Sequence, residues 1–440
     1  MKNKIFICLF FCISLIPLLT TGLFKTTTEQ TANQILTEVP SFVDETGNIN
    51  INYLSEFSNY FDDHIGLRNQ LISTEHGITA ALFGESSEEK VILGKNGWLF
   101  YKDTLADYQR TNLLSDRELY SVTRTIYLMQ EFCENNNINF AFTIVPNKNS
   151  LYGNNMPSYY RQGTGKSNLE MFSEEANSMN INYIDLLSVF NNSDKVLYRK
   201  TDSHWTNEGA GLAADIILKS VDKNVPLYFG SQTETVQAQT GDLFEMLYPS
   251  QKDKDIDIVY KNNFSFKYEK PIRSVEDNFI RTICDGKNGN LYVFRDSFGN
   301  TLYPYLAENF GKSVFTRLFP YNLTLPLSEN ADTVIIEIVE RNISWLIEKP
   351  PVFPSPERLI SSLQNYKTLK NVEISTSESL DLEGYIKLEC KYSEIEKYNH
   401  NIYIQTGAKT FEAIPNGSNK FTAFLPASSD LTNLKVLTGK

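Results

Sequence analysis

Four short apolar runs constrain this chain more than any other feature. Residues 138–145 read I-N-F-A-F-T-I-V, 182–188 N-Y-I-D-L-L-S, 290–294 N-L-Y-V-F and 333–339 T-V-I-I-E-I-V. Helical patterns lie between them. Ser115-Asp-Arg-Glu118 has the form of a capping box, and Tyr120, Val122, Ile126, Met129 and Phe132 then recur along one face to about Asn135. Residues 168–179 and 207–221 read as two more helices, and another follows the 290–294 run to about Phe310. Strands that are apolar along their whole length must be covered on both faces. The alternation therefore predicts an α/β fold, a three-layer parallel sheet with helices on either side.

The flanks read differently. Lys2 and Lys4 precede an uncharged run from Ile5 to Phe24, long enough to span a bilayer and followed by no A-x-A cleavage pattern. Residues 1–24 are expected to be a signal-anchor, with a cleaved signal peptide as the alternative. Both lysines precede the run, which puts the rest of the chain outside the cytoplasm. Residues 25–95 are expected to hold a stalk to about 52 and a helical region over 53–84. Residues 91–101, V-I-L-G-K-N-G-W-L-F-Y, predict a hairpin around Lys-Asn-Gly. The main domain is expected over 96–348, with 222–285, which shows no period, as an insertion. Lys349-Pro-Pro-Val-Phe-Pro-Ser-Pro is a stiff break, and short alternating runs over 365–440 predict a small β-module.

A net charge of −12 argues against nucleic acid as a partner, since that needs a basic footprint. Outside the leader only Cys133, Cys284 and Cys390 remain, too few for a disulfide framework, and C-x-x-C is absent. One bridge among the three is open.

In open α/β sheets the functional groups gather at the carboxyl ends of strands. Here those ends carry Asn147 and Lys148, then Ser297, then Glu340 and Arg341. Ser297 stands in F-R-D-S-F-G-N, where a strand turns into a helix. Amides at such a corner point outward and favour negative charge, as an oxyanion requires. Asp-Ser at a helix start is also an ordinary N-cap. A nucleophilic serine needs a base, and the base needs an orienting acid. The loop T-D-S-H-W-T-N-E-G (201–209) offers Asp202 and His204, two positions apart. Its plainer reading is a half-buried histidine packed beside Trp205, with Thr206 capping the next helix. Metal chemistry needs three or four ligands, and His64, His76 and His400 have no ligand-like spacing with His204. Neither metal nor cofactor is expected. Lys148 and Arg341 can hold an anionic substrate or the oxyanion, or serve as structural ion-pair partners.

Several separated segments together resemble a family. They are Tyr60-Phe-Asp-Asp-His-Ile-Gly-Leu-Arg68, Gly97-Trp-Leu-Phe-Tyr101, Val145-Pro-Asn-Lys148 with Tyr152, Asp202-Ser-His-Trp205, Gly241-Asp-Leu243, Asp296-Ser-Phe-Gly299 and Glu340-Arg341. In order and spacing the chain resembles the DHHW-type proteins, relatives of the alginate O-acetylation proteins in the SGNH hydrolase-like group. The resemblance implies a flavodoxin-like three-layer fold with a Ser-His-Asp triad: Ser297 as nucleophile, His204 as base, Asp202 as orienting acid. The pair precedes the serine, a permuted order, and Arg295 stands where SGNH esterases have glycine. Asn147, Lys148, Arg295, Arg341 and Trp205 are the further oxyanion or substrate candidates. The implied activity is transfer of an acetyl group to a polysaccharide outside the cytoplasm, with a membrane-bound O-acyltransferase as acyl donor. A carbohydrate esterase with the same triad and a non-catalytic glycan-binding or assembly protein are the alternatives.

Overall fold

The computed structural model describes residues 2–21, 37–44, 47–223, 225, 227–261, 264–359, 361, 366–394 and 400–439. In chain order its strands include the hairpin β1 (Val91–Leu93) and β2 (Leu99–Tyr101), then β3 (Asn139–Val145), β4 (Tyr183–Ile184), β5 (Thr233–Thr240) and β6 (Lys254–Tyr260). These are followed by β7 (Lys267–Tyr268), β8 (Phe279–Ile283), β9 (Asn290–Phe294), β10 (Lys312–Thr316) and β11 (Thr333–Val339). The longer helices are α1 (Lys2–Thr20), α2 (Tyr53–His64), α3 (Arg68–Phe83), α4 (Asp116–Asn135), α5 (Asn168–Ser178) and α6 (Asn207–Ser220). Two more bear on the site, the short α7 (Asp242–Leu247) and α8 (Gly299–Ala307).

A seven-stranded sheet in the order β4-β3-β11-β9-β10-β8-β7 forms the middle layer. Its strands from β4 to β10 run parallel. Alternate residues of each strand feed two different cores, as the two-residue period of a strand requires. Val293, Ile335 and Val339 pack with α6 and α8 through Ala210, Ala214, Ile217, Leu302 and Leu306. Tyr292, Phe294, Ile336 and Ile338 pack with α4 and α5 through Val122, Ile126, Met129, Leu169 and Phe172. This two-sided burial is why the strands are apolar throughout: β11 is buried at every residue. The Ser115 hydroxyl accepts from Glu118 N, and the Glu118 carboxylate accepts from Ser115 N, so both halves of the capping box of α4 are made.

The structure departs from the expectations at five places. The sheet is mixed, because β8 and β7 add to β10 antiparallel. The 222–285 segment is therefore only partly an insertion: β5 and β6 form a separate antiparallel ribbon, while its end closes the sheet edge. In 182–188 only two residues are strand, because Asp185 accepts from Ser188 N at 3.0 Å and starts a helix at Leu186. Strand β10, K-S-V-F-T, was too short and too polar to stand out. The C-terminal module begins earlier than 365, since Glu357 and Arg358 already pair with Phe411 and Thr410.

Among the described residues no helix is long and apolar enough to cross a membrane. Residues 25–36 of the expected stalk lie outside the described residues. Cys133, Cys284 and Cys390 are buried and free.

The module stacks a five-stranded and a four-stranded sheet around Leu388, Ile402, Ile404, Phe421, Leu425 and Val436. Ions fasten it to α4. The buried Glu412 carboxylate accepts from Arg124 Nε at 2.7 Å and from Arg358 Nε at 2.9 Å. Arg358 Nη1 also donates to Glu131 of α4 at 2.6 Å. Removing the shared carboxylate strands the Arg124 guanidinium and leaves Arg358 with Glu131 alone. Glu412→Ala should lower unfolding stability by about 3 kcal/mol, as broken buried pairs do, measured by denaturant titration.

Candidate active site

Three corners at the carboxyl ends of β3, β9 and β11 meet one loop between β4 and α6. The corner after β9 carries Ser297. Asp296, just before it, acts as a bracket. Its Oδ2 accepts from Val339 N at 2.7 Å, its Oδ1 from Phe298 N at 2.8 Å, and its own N–H donates to Glu337 Oε2 at 3.1 Å. The end of β9 is thereby tied to the end of β11. Burial, and then the facing Asp296 charge, push the Glu337 carboxyl well above the usual range, so Glu337 is held protonated in the core. Ser297 itself is half-buried. Its N–H meets no acceptor among the described residues, and α8 begins two residues on, with its positive end toward the corner.

The loop 198–206 is a tight turn closed by its backbone. Arg199 N donates to His204 O at 3.2 Å, and Thr206 N donates to Leu197 O at 2.8 Å. Thr206 caps α6 by accepting from Gly209 N at 3.1 Å. Within this turn Asp202 Oδ1 accepts from His204 N at 2.8 Å and lies 2.8 Å from His204 Nδ1. The other ring nitrogen, Nε2, lies 2.8 Å from Ser297 Oγ. The Asp202–His204–Ser297 chain is thus continuous at hydrogen-bond distances, with the His204 side chain 22% exposed.

The charges follow from burial and pairing. Burial alone raises the Asp202 carboxyl, but the His204 bond and the nearby Arg199, 3.7 Å away, outweigh it and hold the carboxyl below its usual range. Burial lowers the His204 imidazole, yet the bond to Asp202 and the charges of Asp202 and Asp242 leave it raised overall. Asp242 was missed as a site residue. Its Oδ2 sits 3.6 Å from His204 Nδ1, and Ser203 bridges the two. G-D-L at 241–243 was visible as a motif, but nothing in the sequence placed it beneath the 201–206 loop.

Asp202, His204 and Asp242 could bring three ligand atoms within 4.8 Å of one another. However, 2.8 Å between His204 Nδ1 and Asp202 is the length of a shared-proton bond, and a metal would need that nitrogen deprotonated.

The other candidates fall into three places. Trp205 is fully buried, donates through Nε1 to Phe298 O at 3.2 Å and packs edge-on against the Phe298 ring. Lys148 is also buried, which corrects its assignment to substrate: its ammonium donates to Leu99 O and Lys200 O at 2.7 Å and to Asp202 O at 2.9 Å. With three protons on three carbonyls, none is left for an oxyanion. Burial pushes this ammonium down to about 7, against the charges of Asp202, Asp242 and Asp255, which favour its charged form. Arg295 is corrected likewise. Buried, it binds Val275 O at 2.6 Å, Asp296 O and the Asn300 side chain, and lies against Gly299. Its departure from glycine is therefore a brace behind the corner. Asn147 is committed to other partners: its N–H donates to Glu340 at 2.7 Å and its side-chain amide to Asp107 at 2.9 Å. Burial and the Asp107 charge push the Glu340 carboxyl up to about 7. Arg341 alone keeps an uncommitted guanidinium. It stacks over Tyr101 at 5.3 Å and Phe298 at 5.9 Å and makes no hydrogen bond or ion pair among the described residues.

The chain is similar to a known class of acetyltransferases. Residues 91–265 match the family model described as the SGNH hydrolase-like domain of the acetyltransferase AlgX. The match takes in Asp202, His204 and Asp242, while Ser297 lies beyond it. Among solved structures, PatB1 of Bacillus cereus is 16% identical, at a TM-score of 0.41 over 56% of this chain and 95% of that one. A DHHW family protein from Eubacterium siraeum is 16% identical, at 0.39 over 51% and 86%. The O-acetyltransferase domain of Pseudomonas putida AlgJ is 17% identical, at 0.39 over 58% and 92%. No curated protein matches in sequence.

The Asp202–His204 pair gives a pH signature. The depressed Asp202 contributes stability above its unfolded value of 3.8, lost as pH falls through the folded value. The raised His204 contributes stability below 6.5, lost as pH rises through its folded value. The stability gap between wild type and Asp202→Asn should therefore be widest between about pH 4 and 6.5 and shrink at pH 9, read from denaturant midpoints.

Proposed function

We propose that this protein transfers an acetyl group to hydroxyls of an exported or cell-surface polysaccharide through an acyl-serine intermediate. One observation carries the reading: His204 bridges Asp202 and Ser297 with 2.8 Å on each side. The match of residues 91–265 to an acetyltransferase domain supports it.

His204 Nε2 takes the Ser297 proton as Oγ attacks the donor's acyl carbon. Asp202 keeps the second ring proton on Nδ1 and stabilises the imidazolium. The developing oxyanion meets the free Ser297 N–H, and the Arg341 guanidinium stands near enough to add positive charge. Collapse expels the donor's alcohol, which takes the proton back from His204. In the second half a sugar hydroxyl gives its proton to His204 and attacks the acyl-serine, and Ser297 leaves reprotonated. The donor is an acyl ester supplied by a membrane-bound O-acyltransferase. The setting is extracytoplasmic, in keeping with Lys2 and Lys4 ahead of the apolar leader.

Ser297 is half-exposed, which lets water compete with the sugar and favours a second reading, esterase activity from the same three residues. The ratio of acetylated glycan to free acetate, with and without glycan, separates the two.

Incubation with an activated acetyl ester should give one acetyl adduct on the Ser297 peptide by mass spectrometry, and Ser297→Ala should give none. Asp202→Asn should form the adduct about 10³-fold more slowly or worse, because the imidazole loses its tautomer. An adduct that persists in Ser297→Ala rejects the assignment.

A further inference from the structure

The triad leaves one charged neighbour unused. Asp242 opens α7 just after β5, 38 positions after His204 in the chain, and its carboxylate comes within 3.6 Å of Nδ1, the ring nitrogen that Asp202 bonds. Its Oδ1 accepts from Ser203 N at 2.7 Å and from Leu243 N at 2.7 Å. Its Oδ2 accepts from Ser203 Oγ at 2.5 Å, and Ser203 Oγ is in turn 3.2 Å from His204 Nδ1. Burial and the Asp202 charge raise the Asp242 carboxyl overall, while the His204 charge and the hydrogen bonds from Ser203 favour its ionised form. The approach is built, not incidental. A Cβ on Gly241 would come within 2.3 Å of Thr201 O, so only glycine lets the chain pass beneath the histidine loop.

We propose that Asp242 is a second acidic positioning residue for His204, which it orients through Ser203 and whose imidazolium it stabilises. The inference rests on His204 being the base of the reaction. Asp202 bonds Nδ1 directly, at 2.8 Å. Asp242 adds a second negative charge at 3.6 Å and clamps the residue between Asp202 and His204. A ring held by both acids is fixed in orientation and more basic than one held by Asp202 alone.

The other charges around the pair are few. Arg341 faces His204 and opposes its protonation. Arg199 neutralises part of Asp202. Lys148, Tyr101 and Glu245 lie within reach of the Asp242 charge. None of these bonds the His204 ring, so removing the Asp242 charge should be felt by the imidazole first.

The test is a proton NMR titration of the His204 ring in the full chain, where only His64, His76 and His400 share the spectral region. Asp242→Asn should lower the His204 midpoint by about one unit, as loss of an adjacent opposite charge does. Asp242→Glu, which keeps the charge, should stay near wild type. Ser203→Ala, which cuts the bridge and keeps the carboxylate, should lower the midpoint by less, and it carries the test if Asp242→Asn does not fold by near-ultraviolet circular dichroism. A midpoint unchanged in both Asp242→Asn and Ser203→Ala overturns the inference. The titration needs no substrate, so absence of acetyl transfer by wild type would sink the functional reading and leave this one standing. Where turnover is measurable, the acid limb of kcat/KM should move to lower pH in Asp242→Asn with KM little changed.

Discussion

Three carbonyl oxygens converge on one buried ammonium, and much of the site hangs from that point. Leu99 belongs to the hairpin, while Lys200 and Asp202 belong to the histidine turn. Lys148 itself opens the helix after β3. A single side chain thus ties the sheet's edge, the outlying hairpin and the loop that carries the base. A buried ammonium is costly unless every proton finds an acceptor, and here all three acceptors are backbone carbonyls. The rings of Trp98 and Phe100, 5.1 and 5.4 Å from Nζ, complete its surroundings. The arrangement does to the base what Asp296 does to the nucleophile: it fixes a backbone so that a side chain has one place to go.

The site also sorts its carboxylates by environment. Asp202 is paired and depressed, while Asp242 is raised, by burial first and by its acidic neighbour second. Glu337 and Glu340 are raised by burial in the sheet. Acid groups in this chain therefore play three parts within a small volume: orienting a ring, bracketing a turn, and filling the core as neutral hydrogen-bonding groups. Only where a cation or a convergence of N–H groups meets them does the charge persist.

What the sequence made legible follows from where each residue's constraint is local. Strands β3, β9 and β11 announced themselves because both of their faces are buried, and α4 because its cap and stripe lie within one short window. Asp202 and His204 could be read as a pair because two positions separate them. Residues 222–285 were opaque, since β5 and β6 pair with each other and their exposed faces leave no apolar period. The place of Asp242 was hidden for the same reason. For Lys148 a ligand role and a structural one both stayed open, and Arg295 stood among the substrate candidates, because a charge at a strand end looks alike in sequence whether it faces a ligand or braces a turn. Burial and partners, which depend on distant segments, separate the two.

Trp205 has a consequence of its own. The chain has three tryptophans; Trp345 is 45% exposed, while Trp98 and Trp205 are enclosed. The Trp205 indole donates to the carbonyl of Phe298, the residue next to the serine, and its ring lies edge-on against that phenyl group. An indole emits according to the dipoles around its N–H. This one bonds the peptide carbonyl next to Ser297, so a substituent on that serine changes the dipoles around it. The fold therefore carries an intrinsic optical gauge at the reacting corner, readable without any label.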